Sequence, residues 1–251
     1  MKALITGASS GIGRDIAKEL AKKGYDLVLV ARNLEKLNNV KQDIKDDVNI
    51  EIVQMDLSEY KNCKKLYKQI GNDIDILVNN AGFGIFGKFD EIEIEKEIQL
   101  INTNIVALQT LTKLFLKDMK KNNRGYILNV ASIAGFMPGP LMSTYYASKS
   151  YVVKLSEAIR EELRKEKSNV KISILCPGPV DTNFNNVANV KFSAKALSSE
   201  YVAKYTIKKM LKNKFYIVPG ASIKALRYIA KIVPDSIISR FSYKVQKAKN
   251  K

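Results

Sequence analysis

Histidine is absent from all 251 residues, and its absence removes whole classes of chemistry. A Ser-His-Asp triad, a Cys-His pair and most zinc centres use imidazole as base or ligand. Any proton transfer therefore falls to tyrosine, lysine, aspartate or glutamate. Cysteine is scarce as well. Cys63 and Cys176 stand far apart with no CxxC, so neither a disulfide framework nor a metal site is expected, and both read as packing residues. No apolar run reaches the ~18 residues that point to a membrane-spanning helix. The apolar stretch KALIT follows Met1 directly, which leaves no room for a secretory leader, so a cytoplasmic protein is expected. No repeat, low-complexity tract or Pro/Gly-rich linker breaks the chain, which reads as a single domain over residues 1–251.

Acidic residues are few beside basic ones. With 25 Asp and Glu against 42 Lys and Arg, the formal net charge is +17. Such a charge invites a nucleic-acid or anionic-membrane partner. The lysines, however, are spread along the chain and interleaved with acids, and the densest uncompensated basic stretch begins only after about residue 204. Nucleic-acid binding is not expected on this pattern.

What is present is a core-forming composition, 46% hydrophobic and 8% aromatic, arranged in alternation. Short apolar runs at 3–6, 26–31, 50–55, 75–79, 126–131, 171–176 and 215–218 are separated by longer amphipathic segments, such as the one carrying Leu108, Leu111, Leu114 and Met119. Continuous apolar strands joined through helices predict a doubly wound α/β architecture: a parallel sheet of about seven strands with helices on both faces.

The first strand runs into TGASSGIGRDIAKEL, giving strand, glycine-rich turn and helix in the order a dinucleotide site requires. Gly7 permits a tight turn, Gly11 lets the backbone approach a pyrophosphate, and Gly13 lets the helix pack closely. Amides at the helix start, with Ser9 and Ser10, are placed to hold phosphates against the positive end of the dipole. At the end of the second strand, Ala31 stands where an acid would meet ribose hydroxyls, and Arg32 follows. A guanidinium without a competing carboxylate favours a 2′-phosphate, so NADP(H) is expected over NAD(H). Asp56 and Leu57 end the third strand, where they could flank an adenine. In the stretch STYYASKS, helical spacing stands Tyr145 over Lys149, while Tyr146 points about 100° away and reads as a packing or pocket residue.

The ordered set TGASSGIG (6–13), DL (56–57), NNAG (79–82), NIVAL (104–108), NVASIAG (129–135), YYASK (145–149) and PGPVDT (177–182) resembles the classical short-chain dehydrogenases/reductases over nearly the whole chain. The C-terminal part is similar to a bacterial subgroup of broad NADP-linked carbonyl reductases. The resemblance implies a Rossmann-type fold, a homo-oligomer, and catalytic Tyr145, Ser132 and Lys149, with Asn104 as the family's helix asparagine and Asn102 as a competing position. Cofactor contacts implied by it fall on Gly7, Ser9, Ile12, Asp56, Asn80, Tyr145, Lys149 and Val180, with Thr182 near the nicotinamide end. Ala81 and Gly82 allow a close backbone approach, and Pro177 and Gly178 belong to the loop after the sixth strand, where such sheets form their ligand crevice. By this account an ammonium near Tyr145, together with the positive charge of an oxidised nicotinamide ring, lowers its pKa from about 10 by about three units, Ser132 bonds the reacting oxygen, and Asn104 places a water behind Lys149.

The substrate is expected to be a small carbonyl or alcohol compound, partly apolar. Residues 183–214 are expected to cover it through Phe184, Val187, Val190 and Phe192. Residues 221–251 read as a basic amphipathic extension, with Ile223, Leu226, Ile229 or Ala230, and Val233 on one face and Lys224, Arg227 and Lys231 elsewhere. That stripe could pack on the body, on a sister subunit or, less favoured, on an anionic membrane. Two alternatives stand beside a carbonyl reductase: a 3-oxoacyl-thioester reductase, and a cofactor-sensing or membrane-recruited binder without turnover.

Overall fold

The computed structural model describes residues 1–184, 196–230 and 232–248. Val187, Val190 and Phe192 of the expected cover lie outside the described residues, as does Lys231. The strands are β1 (Lys2–Thr6), β2 (Asp26–Ala31), β3 (Ile50–Gln54), β4 (Ile76–Asn79), β5 (Tyr126–Val130), β6 (Lys171–Leu175), β7 (Val180–Asp181), β8 (Leu197–Ser198) and β9 (Tyr216–Ile217). The helices are α1 (Gly11–Ala21), α2 (Leu34–Asp43), α3 (Tyr60–Ile70), α4 (Ile94–Ile101), α5 (Leu108–Lys121), α6 (Ser143–Lys165), α7 (Ser199–Met210), α8 (Ala221–Ile229) and α9 (Asp235–Lys247).

Seven strands form one parallel sheet in the order β3-β2-β1-β4-β5-β6-β9, and β7 pairs with β8 apart from it. Each apolar run of the sequence appears as a strand, within one residue at either end. The period of two sends alternate side chains to opposite cores. Ala3, Ile5, Leu27, Leu29, Ile76 and Val78 meet Ile16, Leu20 and Leu37 on one face. Leu4, Val28, Val30, Leu77 and Ile127 meet Leu66, Phe115 and Val152 on the other. Each large side chain so buried contributes about 1.5–3 kcal/mol. The strand order reverses between β1 and β4, which places a crevice at their carboxyl ends.

Two features depart from expectation. Residues 183–214 do not all cover the crevice: Val202, Ala203, Ile207 and Met210 of α7 are buried in the core, and α7 packs along α1. Its start is tied there by the Ser199 hydroxyl, which donates to the buried Asp15 carboxylate. The apolar positions of α7 recur at helical spacing and the core takes them up. Any cover from this stretch is thereby confined to the part before α7. Between α4 and α5, residues Asn102–Ala107 form a π-helix rather than a continuous α-turn, and this bulge carries Asn104 inward.

Candidate active site

The loop after β1 is shaped by what its glycines leave out. Gly7 has φ +64, and a Cβ there would lie 2.8 Å from Asn80 Nδ2 and 2.9 Å from Ala81 Cα. At Gly13 a Cβ would meet both Gly7 O and Asn80 Nδ2 at 2.4 Å. Asn80 fastens this contact from β4: its Nδ2 donates to Thr6 O and Gly7 O, and its own amide donates to Thr6 Oγ1 at 2.9 Å. The start of α1 is left open, since Ser10 makes no side-chain cap and its first turn carries no acid. Open amides at the positive end of a helix form an anion site. The chain thus leaves room where a dinucleotide's phosphates belong, and the donor set fits them.

One continuous cavity of about 950 Å³ follows the carboxyl edge of the sheet, at the upper end of ordinary ligand pockets. It is lined by Gly7, Ser9, Ser10, Gly11 and Ile12, by Arg32, Asp56 and Leu57, by Asn80, Ala81 and Gly82, and by Pro177, Gly178, Val180 and Thr182, together with Ser132, Tyr145 and Lys149. Of the residues assigned to catalysis or cofactor binding from the sequence, Gly13 and Asn104 do not line it, nor does the competing Asn102; Gly13 sits behind Gly7 and Asn104 behind Gly82. Arg32 and Lys36 stand at the end beside β2, and Arg32 shares a smaller recess with Asp56 and Lys65. One Asp56 oxygen accepts from the Ser58 amide, which fixes the turn after β3.

On α6, Lys149 and Tyr145 share a face as their spacing requires. The Lys149 ammonium lies 5.8 Å from the Tyr145 ring centroid and donates to Val130 O at 2.9 Å. It is almost wholly buried, and desolvation pushes its pKa down from 10.5 to about 8. Ser132 caps a short 3-10 turn at Ile133–Phe136, accepting from the Ala134 amide at 3.2 Å, and it hydrogen-bonds Tyr145. Burial raises the Tyr145 phenol above its ordinary value, and the Ser132 bond offsets that only in part. Among the protein's own groups burial is thus the largest influence on both side chains, whereas the expected lowering of the phenol counted also the positive charge of an oxidised nicotinamide.

Asn104 is held by protein groups at both ends of its amide. Its Oδ1 accepts from Phe83 N at 3.1 Å, and its Nδ2 donates to Phe83 O and to Ser148 Oγ at 2.9 and 3.0 Å. The side chain braces the loop after β4 against α6. Gly82 fits between, for a Cβ there would lie 2.9 Å from Asn104 Oδ1 and 3.5 Å from Lys149 Nζ.

The far wall comes from the C-terminal extension. Ile223, Leu226, Ile229, Ala230 and Val233 line the cavity, which gives the apolar stripe its partner: the body of its own subunit. Arg227, read from the sequence as part of the polar side, is buried. Its guanidinium lies 3.4 Å from the Tyr216 ring centroid and 5.2 Å from that of Phe136. Stacking between two rings anchors α8 over β9. Helix α9 then adds Ile237, Ile238, Phe241, Ser242, Val245 and Gln246, none of which the sequence reading singled out. The signal was there in adjacent pairs recurring at 237–238, 241–242 and 245–246, one helical turn apart.

A doubly wound parallel sheet with a glycine loop at its switch point defines a dinucleotide-binding protein of Rossmann type. The family model for short chain dehydrogenases matches residues 1–191, and the chain belongs to that family. It is 35% identical over 212 residues to human 17-beta-hydroxysteroid dehydrogenase type 3, covering 80% of this chain and 65% of the human protein. It is 38% identical over 172 residues to a very-long-chain 3-oxoacyl-CoA reductase of Pyrenophora tritici-repentis, covering 64% of this chain and 50% of that protein. The chain thus matches about half to two thirds of the length of these relatives. Among solved structures, a short-chain dehydrogenase from Sphingobium yanoikuyae in complex with NADPH superposes with a TM-score of 0.85 at 28% identity, covering 92% of this chain and 91% of that one. A short chain dehydrogenase/reductase from Burkholderia phymatum in complex with NAD gives 0.82 at 26% identity, covering 90% and 91%. Among the described residues no helix is long and apolar enough to cross a membrane.

Proposed function

We propose that this protein is an NADP(H)-dependent oxidoreductase that interconverts a carbonyl and a secondary alcohol by hydride transfer, with Tyr145 as general acid and base. The observation that carries the reading is the single cavity in which an anion-accepting glycine loop and a buried Ser-Tyr-Lys cluster meet. Gly7, Ser9, Ser10, Gly11, Ile12, Asp56, Leu57, Asn80, Ala81, Gly82, Pro177, Gly178, Val180 and Thr182 would hold the dinucleotide, with Gly13 and Asn104 supporting them from behind. When bound, that group supplies the hydride. Tyr145, held protonated by its burial, gives a proton to the substrate oxygen in the reducing direction. Ser132 donates to the same oxygen as negative charge builds there. Lys149 keeps positive charge beside the phenol and has donors to spare for ribose hydroxyls.

Preference for the phosphorylated cofactor is supported by Ala31, Arg32 and Lys36, which put two cations at the β2 end of the cavity and an alanine where β2 itself could carry an acid. The same reading keeps the protein cytoplasmic and homo-oligomeric, the latter supported by Ile94 and Ile98 exposed on α4. A 3-oxoacyl-thioester reductase is the second reading, favoured by the apolar wall of the cavity and by the fungal relative. A membrane-recruited binder has less support, because Ile223, Leu226 and Ala230 of the stripe on α8 line the cavity, although Ile229 and, on α9, Ile237 and Phe241 are exposed. The test is loss of reduced-nicotinamide absorbance with a panel of apolar ketones and 3-oxoacyl thioesters. The Tyr145→Phe variant is expected to lower kcat about a thousandfold with nucleotide affinity retained. Unchanged turnover would mean that another group supplies the proton.

A further inference from the structure

The wall that α9 adds to the cavity is apolar except at one place. Ser242 and Gln246 stand one turn apart on its buried face with Ile238, flanked by the more exposed Phe241 and Val245, and both line the cavity. Gln246 is 1% exposed, and its Nε2 donates to the Tyr146 hydroxyl at 2.5 Å. Its Oε1 is buried with no hydrogen-bond partner among the described residues. The Ser242 hydroxyl likewise makes no hydrogen bond among the described residues.

An orphaned amide oxygen inside an apolar wall is costly unless something meets it. Nothing in the fold demands glutamine there, since a methionine of similar length would pack against the same neighbours. Tyr146, for its part, is held in place. The backbone of Gly139 presses on its ring so closely that a Cβ there would lie 2.1 Å from Cγ. The ring also meets that of Tyr145 edge-on, with centroids 6.0 Å apart. The amide is thus fastened at one end to a fixed phenol while its other end stays free, one ring away from the proposed acid.

Resting on the carbonyl-alcohol reading above, we infer that Gln246, oriented by Tyr146 and joined by Ser242, forms a polar subsite that recognises a hydroxyl group on the substrate, distal to the reacting carbonyl. The substrate class is an apolar ketone that carries a hydroxyl. A hydroxyl both donates and accepts, so it satisfies the free end of the amide whichever way the amide is turned. The remaining body of the substrate lies against Leu226, Ile238 and Phe241.

The test uses the full chain with NADPH and straight-chain methyl ketones from hexanone to dodecanone, each beside its terminally hydroxylated counterpart. At one or more chain lengths the hydroxylated ketone is expected to show a roughly tenfold lower KM at similar kcat, the effect of meeting one buried acceptor. In Gln246→Met the KM ratio between each plain ketone and its hydroxylated counterpart is expected to fall to about one, and Tyr146→Phe is expected to reduce the advantage in part. Binding of the matching diols and simple alcohols by calorimetry supplies a readout independent of turnover. A binding difference without turnover keeps the subsite and removes the carbonyl-alcohol reading. Turnover of both series with no hydroxyl preference, a preference that survives in Gln246→Met, or failure of the diols to bind overturns the subsite.

Discussion

The end of the cavity beside β1 is lined by backbone and fixed by glycines, whereas the end beneath α8 and α9 is lined by the side chains of two terminal helices. At the first, recognition comes from amides and a helix dipole, and a single methyl group has no space. At the second, it comes from the volume and polarity of residues such as Leu226, Ile238 and Gln246, any of which can be exchanged without moving a strand. The chemistry sits where the two meet, on Tyr145 and Lys149. A fold built in this way keeps its nucleotide end constant in design and leaves the ketone end free to differ.

The largest expected effect breaks the backbone-lined end. In Gly13→Ala the new methyl would fall 2.4 Å from both Gly7 O and Asn80 Nδ2, and neither the backbone carbonyl nor the triply bonded Asn80 can withdraw. Nucleotide affinity by calorimetry is expected to drop about a hundredfold, and overpacking is expected to cost about 1–3 kcal/mol in chemical denaturation. An equivalent change at the other end, Ile238→Ala, should leave nucleotide affinity nearly as it was, though it trims a buried side chain and lowers stability as well.

That contrast also explains what was legible in the sequence. Gly7, Gly11 and Gly13, and the pair Tyr145 and Lys149, act through spacing of a few residues, which a linear text preserves. The apolar strands were legible because each run is continuous and its neighbours follow from crossover geometry. Arg227 was not, because its burial depends on Phe136 and Tyr216, which arrive from distant parts of the chain. For α7 the helical period was readable but its partner was not, so it was mistaken for cover. The surroundings of Tyr145 were half legible for a related reason: a neighbouring charge can be read from spacing, but loss of solvent cannot.

The next expected effect lies at the meeting point. Lys149 titrates at about 8 when folded against 10.5 in its ordinary state, a gap of about 3 kcal/mol. The unfolded chain holds the extra proton between those values, so this burden on stability is complete below pH 8 and disappears as pH rises through 10.5. Lys149→Met removes it and gives up the bond to Val130 O, which is worth about 1 kcal/mol. The variant is expected to be inactive yet more stable than the parent at pH 7 by about 1–2 kcal/mol in urea titrations, with the advantage fading as pH rises from 8 to 10.5. A variant less stable at neutral pH would show that the ammonium is better solvated than its burial indicates.

The measurement that tests the account most directly compares Arg32→Ala with Ile238→Ala for NADPH affinity, NADH affinity and the KM of a long apolar ketone. Removing the cation at the β2 end should weaken NADPH about tenfold while leaving NADH and the ketone within twofold, and trimming α9 should raise the ketone KM about fivefold with both nucleotides unmoved. If Arg32→Ala weakens the two nucleotides equally, or Ile238→Ala shifts nucleotide affinity as much as ketone KM, the division of this cavity into a nucleotide end and a substrate end is contradicted.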